Sequence, residues 1–141
     1  MIEALTLKNF RKHKKLSLEL DPQFNLLHGR NNSGKTTIFY AIEYCLFGGV
    51  RGFKKISQLA KFKHNSVGVE LIFKGKNGAD YKLQRMHELK GKNRSARGDF
   101  TLKKITSDGE EKYLLASDFG NREEELSLKL LEILGISKRF F

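Results

Sequence analysis

Residues 29 to 37 read Gly-Arg-Asn-Asn-Ser-Gly-Lys-Thr-Thr: two glycines with four residues between them, then a lysine and two hydroxyl side chains. That order of residue types suits the holding of phosphate. Gly29 and Gly34 carry no Cβ, so the backbone through Asn31, Asn32 and Ser33 can take turn dihedrals and aim successive N–H groups at phosphate oxygens. Lys35, the candidate catalytic residue, adds a full positive charge able to bridge β- and γ-phosphates. Thr36 offers a hydroxyl to Mg²⁺ and Thr37 offers one to the α-phosphate. The segment is a complete Walker A loop, and it predicts ATP and Mg²⁺ as cofactors. Composition alone would produce the pattern in a chain of this length on the order of half a percent of the time. A glycine-rich turn beside a solvated lysine would need no ligand, so the flanking elements matter.

Such a loop works only between a strand and a helix. Phe24, Leu26 and Leu27 predict a short apolar strand running into Gly29. After Lys35 the period becomes helical, with Ile38, Ala41, Ile42, Cys45 and Leu46 on one face. The first turn of that helix adds unpaired N–H donors and the positive end of its dipole, worth roughly 0.3–2 kcal/mol to a nearby anion.

Most of the remaining chain predicts antiparallel strand. Ile2 to Lys8 pairs with the alternating Leu16, Leu18 and Leu20 across a basic turn at Arg11 to Lys15. Val67, Val69, Leu71 and Phe73 alternate, Asn77-Gly78 supplies a hairpin turn, and Tyr81 and Leu83 return. A second hairpin runs from Phe100, Leu102 and Ile105 through Asp108-Gly109 to Tyr113 and Leu115. A C-terminal helix is expected to open with Asn121 as cap, to carry Glu123 to Glu125 in its first turn, to bury Leu126, Leu130, Ile133 and Leu134, and to end at Gly135.

Length and composition fit one domain over residues 1–141, large enough to bury about two-thirds of its unfolded surface. No apolar run approaches the roughly 20 residues that span a bilayer, and no signal-peptide pattern opens the chain. The cytosol is the expected compartment, with a nucleoid or, in a eukaryote, a nuclear location as its variants. Cys45, the only cysteine, is expected in the core, and the four histidines show no metal-ligand spacing. With 27 Lys+Arg against 16 Asp+Glu the net charge is +11, which favours a polyanionic partner, duplex DNA first. The cations cluster at Arg11 to Lys15, from Arg51 through Lys54 and Lys55 to Lys63, and at Lys90, Lys92, Arg94 and Arg97. Of these, Lys54, Lys55, Lys90, Lys92, Arg94 and Arg97 are the candidate DNA contacts; a solvated lysine-rich surface would look similar.

The opening Met-Ile-Glu-Ala-Leu-Thr-Leu-Lys-Asn-Phe-Arg-Lys-His, together with Phe-Asn-Leu-Leu-His-Gly-Arg-Asn-Asn-Ser-Gly-Lys-Thr-Thr-Ile-Phe-Tyr-Ala-Ile at 24 to 42, resembles the N-terminal lobe of the SMC, RecF and SbcC group of ABC-type ATPases. The likeness extends over essentially the whole chain. Leu-Glu-Ile-Leu-Gly-Ile-Ser-Lys-Arg-Phe-Phe at 131 to 141 is similar to the segment entering the Q-loop of the double-strand-break-repair coiled-coil ATPases. The resemblance implies an α/β P-loop NTPase fold, the N-terminal half of an ABC-type head, with a P-loop strand–helix unit, antiparallel β-hairpins and a C-terminal helix. It further implies that Arg11 and Lys12 approach the nucleotide and that the segment near Phe62 to His64 approaches the adenine. The partners it implies are duplex DNA, the C-terminal lobe of the same head, a second head on ATP binding, and a repair nuclease.

Other family features are not in this sequence. The Q-loop glutamine is expected beyond Phe141, no apolar run precedes an Asp-Glu pair as Walker B requires, and there is no Leu-Ser-Gly-Gly signature or heptad run. Two other classes fit the residues less well. A small P-loop nucleotide kinase would place the loop on its first strand, and a basic nucleic-acid-binding module would not need the loop. We therefore expect the isolated chain to hydrolyse ATP negligibly, because Mg²⁺ and the attacking water need carboxylates that are not in it. Steady-state phosphate release checks this: turnover at ordinary ATPase rates, abolished by Lys35→Ala, would contradict the half-head reading.

Overall fold

The computed structural model describes residues 2–11, 13–19, 32–61, 64–91, 95–117 and 122–135. Six strands run β1 (Ile2–Phe10), β2 (His13–Glu19), β3 (Ser66–Lys74), β4 (Asp80–Lys90), β5 (Ser95–Ile105) and β6 (Glu111–Ala116). Two α-helices, α1 (Asn32–Phe47) and α2 (Glu123–Leu134), and a 3-10 turn at Ile56–Gln58 complete the described elements. The strands form one sheet in the order β2-β1-β3-β4-β5-β6, antiparallel throughout.

The strand alternation fixes which face is covered. Leu5 and Leu7 of β1, Val67, Val69, Leu71 and Phe73 of β3, Tyr81 and Leu83 of β4, and Phe100 and Leu102 of β5 are all buried. Register places them side by side, with Leu71 opposite both Leu5 and Leu83, and Leu83 opposite Leu102. Against this face α1 sets Ala41, Ile42, Cys45 and Leu46, and α2 sets Leu126, Leu130 and Ile133, as their helical spacing predicts. Cys45 is a core residue. Its S–H lies between the carbonyls of Val69 (3.5 Å) and Leu83 (3.4 Å), and burial pushes its pKa up to about 12. Such a thiol is inert at neutral pH.

Several expectations are corrected. The helix begins at Asn32, inside the glycine-lysine segment, so the first turn includes Gly34 and Lys35. Arg122, with φ 76° and no side-chain cap bond, occupies the N-cap position of α2 instead of Asn121, which lies outside the described residues. The helix ends on Gly135 (φ 72°), as expected. The alternation on β6 breaks at a bulge: Leu102 pairs with Leu115 but Lys103 with Tyr113, so Leu114 is the extra residue. Tyr113 is therefore exposed beside the Lys103 ammonium, 4.8 Å from its ring. Arg97 lies within β5, paired with Glu88, because β4 and β5 stay in register as far as Lys90 and Ser95. Lys90 and Ser95 are the last pair of these two strands, and residues 92–94 between them lie outside the described residues.

An inward charge interrupts the apolar alternation of β4. Arg85 is 3% exposed; its Nε donates to the Cys45 carbonyl at 3.0 Å, its outer nitrogens bind the Glu123 carboxylate, and its plane lies 5.3 Å over the Phe100 ring. Two residues on, His87 accepts or donates a 2.7 Å bond with the Tyr44 hydroxyl of α1, opposite Gly98 of β5. The imidazole fills the space a side chain at 98 would need: a Cβ there would sit 2.2 Å from Nε2.

This pocket sets a pH dependence. Desolvation, then the neighbouring Arg85 charge, lowers the His87 pKa from 6.5 to about 4, while Glu123 and Asp99 act weakly the other way. Between these values the unfolded chain binds a proton that the folded chain does not. The associated stability is complete above pH 6.5 and is lost as pH falls towards 4. Thermal melts across that range should show a falling midpoint, and His87→Gln should flatten the fall; an equally steep profile in the variant would contradict the assignment.

Candidate functional site

The glycine-lysine segment enters α1 as its first turn, where backbone N–H groups have no partner within the helix and the dipole is positive. Thr36 stands exposed on that turn and Thr37 is buried, 7% exposed. An exposed hydroxyl at this position suits a metal-bound phosphate, and a buried one suits a contact inside the loop. Asn32, Ser33, Gly34 and Lys35 are described by their helical backbone alone. Phe24, Leu26, Leu27, Gly29 and Asn31 lie outside the described residues.

Arg11 follows β1 in a left-handed conformation, φ 54°. Its N–H donates to the Leu59 carbonyl at 2.6 Å, the Lys61 N–H donates to the Asn9 carbonyl at 2.7 Å, and Phe10 bridges to Ala60. The end of β1 is thereby zipped to the segment after α1. The Arg11 guanidinium donates to the Gln58 carbonyl at 3.3 Å and lies 5.2 Å from the Phe53 ring. Phe53 in turn meets Tyr40 of α1 edge-on, with centroids 5.0 Å apart. Neither aromatic figured in the sequence reading, and its one clue was the company of a basic turn. Lys12 and Phe62 lie outside the described residues; His64 lies close by in the chain, its N–H donating to Lys61.

The topology gathers charge. In an antiparallel sheet the end of β1, the start of β2, the start of β3, the end of β4 and the start of β5 share one margin. That margin receives Lys8, Arg11, Lys14, Lys15 and Lys90, and the zipped segment brings Lys61 to it. Lys54 and Lys55 are exposed just before the 3-10 turn. Lys90 is 3.7 Å from Glu88, both largely exposed, an arrangement too solvated to neutralise it. Lys92 and Arg94 lie outside the described residues, and Arg97 is described by its strand backbone. The other margin is mixed, with Asp80, Asp108 and Glu110 beside Lys74, Lys76, Lys104 and Lys112.

A separate hollow of about 260 Å³ lies on the sheet face away from α1, over Gly68 and among Lys8, Ser66, Gln84, Met86 and Thr101. Its lining mixes Lys8 and Arg85 with Glu70 and Asp99. Among the described residues no cluster of His, Cys, Asp and Glu could hold a metal by itself, and no helix is long and apolar enough to cross a membrane.

Comparison with known proteins gives the family of the chain. A family model described as AAA domain matches residues 4–140. The DNA double-strand break repair Rad50 ATPase of Thermoplasma volcanium is 30% identical over 141 residues, all of this chain and 14% of that protein. The corresponding Rad50 ATPase of Methanopyrus kandleri is 33% identical over 97 residues, 69% of this chain and 11% of that protein. A solved structure of the recombination mediator RecF with ATP superposes with a TM-score of 0.58 at 26% identity, covering 77% of this chain and 28% of that one. The chain thus spans well under a third of the length of these relatives. With the antiparallel sheet and these likenesses in agreement, the chain belongs to the AAA domain family and is similar to proteins of the Rad50 and RecF type.

Proposed function

We propose that this chain is the ATP-binding half of the head of a DNA-repair or chromosome-organising ATPase, completed by a C-terminal lobe and a second head. The observation that carries it is the Gly-Lys-Thr-Thr sequence at the positive end of α1. The backbone donors and Lys35 would hold the phosphates and Thr36 would hold Mg²⁺, which would supply charge neutralisation to them. Arg11 and Lys12 approach the nucleotide from the end of β1. The ATP carried by the RecF relative supports the ligand. In EDTA, Lys35→Ala should weaken ATP binding at least tenfold and Thr36→Ala far less, since lysine meets phosphate directly and threonine acts through the metal. Calorimetric or fluorescence titration decides, and equal losses would contradict these roles.

The same reading assigns duplex DNA to the basic margin of the sheet, with a repair nuclease as a further partner of the complete assembly. Cations from three separate stretches of sequence support it, because they meet at one end of the fold. Lysines and arginines on turns reach phosphates without reading base edges. Lys54 and Lys55 would flank the site, and Lys90, Lys92, Arg94 and Arg97 would contact phosphates from the stretch that joins β4 to β5. Neutralising four phosphates gives a slope of log affinity against log salt of roughly −3 to −4 from that stretch. Replacing those four cations by Ala should flatten the slope by that amount for unrelated duplexes alike; an unchanged slope removes the stretch from the DNA site.

A further inference from the structure

Arg11 combines features that a merely solvated arginine does not need. Its backbone is left-handed, a conformation unfavourable for a side chain with a Cβ and kept only where the surroundings hold it. Here the surroundings are the Leu59 carbonyl on its N–H, the Gln58 carbonyl on its guanidinium and the Phe53 ring under the guanidinium plane. Phe53 is itself placed from two sides. Its N–H donates to the Val50 carbonyl at 3.1 Å in a turn that passes through Gly52 at φ 89°, and its ring abuts Tyr40 at 77°. Tyr40 lies one turn beyond Thr36 and Thr37 on the P-loop helix.

Resting on the nucleotide reading above, we propose that Phe53 is a positioning residue: backed by Tyr40, it holds the exposed Arg11 guanidinium in the orientation that meets the phosphates of a bound nucleoside triphosphate. A guanidinium presents five N–H donors in one plane, so the Gln58 carbonyl leaves donors for an anion. Stacking on an aromatic face fixes the plane without consuming any of them. The arrangement orders a long side chain before the ligand arrives and lowers the entropy lost on binding. Its distinguishing property is that Phe53 acts only through Arg11.

The test is a double-mutant cycle in the 141-residue chain, read as affinity for ATP with Mg²⁺ in competition with a fluorescent ATP analogue, and with melting curves for each protein. Phe53→Leu should weaken ATP about three- to fivefold, the worth of an exposed cation–π contact, and Phe53→Tyr should restore wild-type affinity. In an Arg11→Ala background Phe53→Leu should cause no further loss. Arg11→Lys, which keeps the charge but not the plane, should lose affinity like Phe53→Leu and be insensitive to position 53. If Phe53→Leu melts early, Phe53→Met keeps apolar volume without a ring and serves in its place. Undiminished affinity in the ring-less variants, or the same fold loss with and without Arg11, overturns the proposal while leaving the nucleotide site standing. Failure of the wild-type chain to bind ATP overturns both.

Discussion

The Arg85 guanidinium fastens the two helices to the sheet. It rises from the centre of β4, meets the last turn of α1 through the Cys45 carbonyl and holds the first residue of α2 through Glu123. α1 has no basic residue in its own last turn, so a cation from the sheet serves its negative end. Burying an arginine carries a large desolvation penalty, which is offset only when carboxylate, carbonyl and aromatic partners converge on it, as they do here. Glu123 remains 43% exposed at its side chain, so water moderates the pair, and the carbonyl and the Phe100 face carry the buried part. This contact joins the apolar packing of Ala41, Ile42, Cys45 and Leu46 in holding α1, the helix that opens with the Gly-Lys-Thr-Thr sequence.

The sequence was most legible where a single period or a single motif decided the structure. The two turn dipeptides, Asn77-Gly78 and Asp108-Gly109, marked real hairpins, and each glycine has the positive φ those turns require. The helix stripes were equally plain, because 3.6-residue spacing admits one buried face. What was hidden depended on partners distant in sequence. Arg85 reads as one more lysine-or-arginine position until Cys45 and Glu123, 40 residues away on one side and 38 on the other, are brought to it. Tyr113 was placed on the returning strand of its hairpin, as the structure has it, but the bulged residue that leaves it exposed had no mark in the sequence. Of the candidate site, the Gly-Lys-Thr-Thr segment was plain from residue types alone, and the contact of Phe53 with Arg11 was not, since only the fold brings residues 11, 40 and 53 together.

Charge at the basic margin has a physical logic of its own. Cations spread along a chain repel one another when gathered, so folding brings them together at some electrostatic cost. The fold keeps them on turns and strand ends, where water screens them, and places its ion-pair network elsewhere on the sheet, where Lys82, Glu70, Glu111 and Lys103 neutralise each other. The two regions thus differ in how closely opposite charges are matched.

The bulge at Leu114 has a consequence for how the molecule keeps company with its own copies. An open six-stranded sheet ends in two strands whose outer backbone groups invite another chain to add on, the first step of a fibre. On one border the extra residue kinks β6 and puts its N–H and C=O out of step with any straight partner. On the other, Lys14 and Lys15 of β2 would face the same charges on an incoming copy. Among the described residues, both borders thus carry a feature that disfavours the addition of a further straight strand.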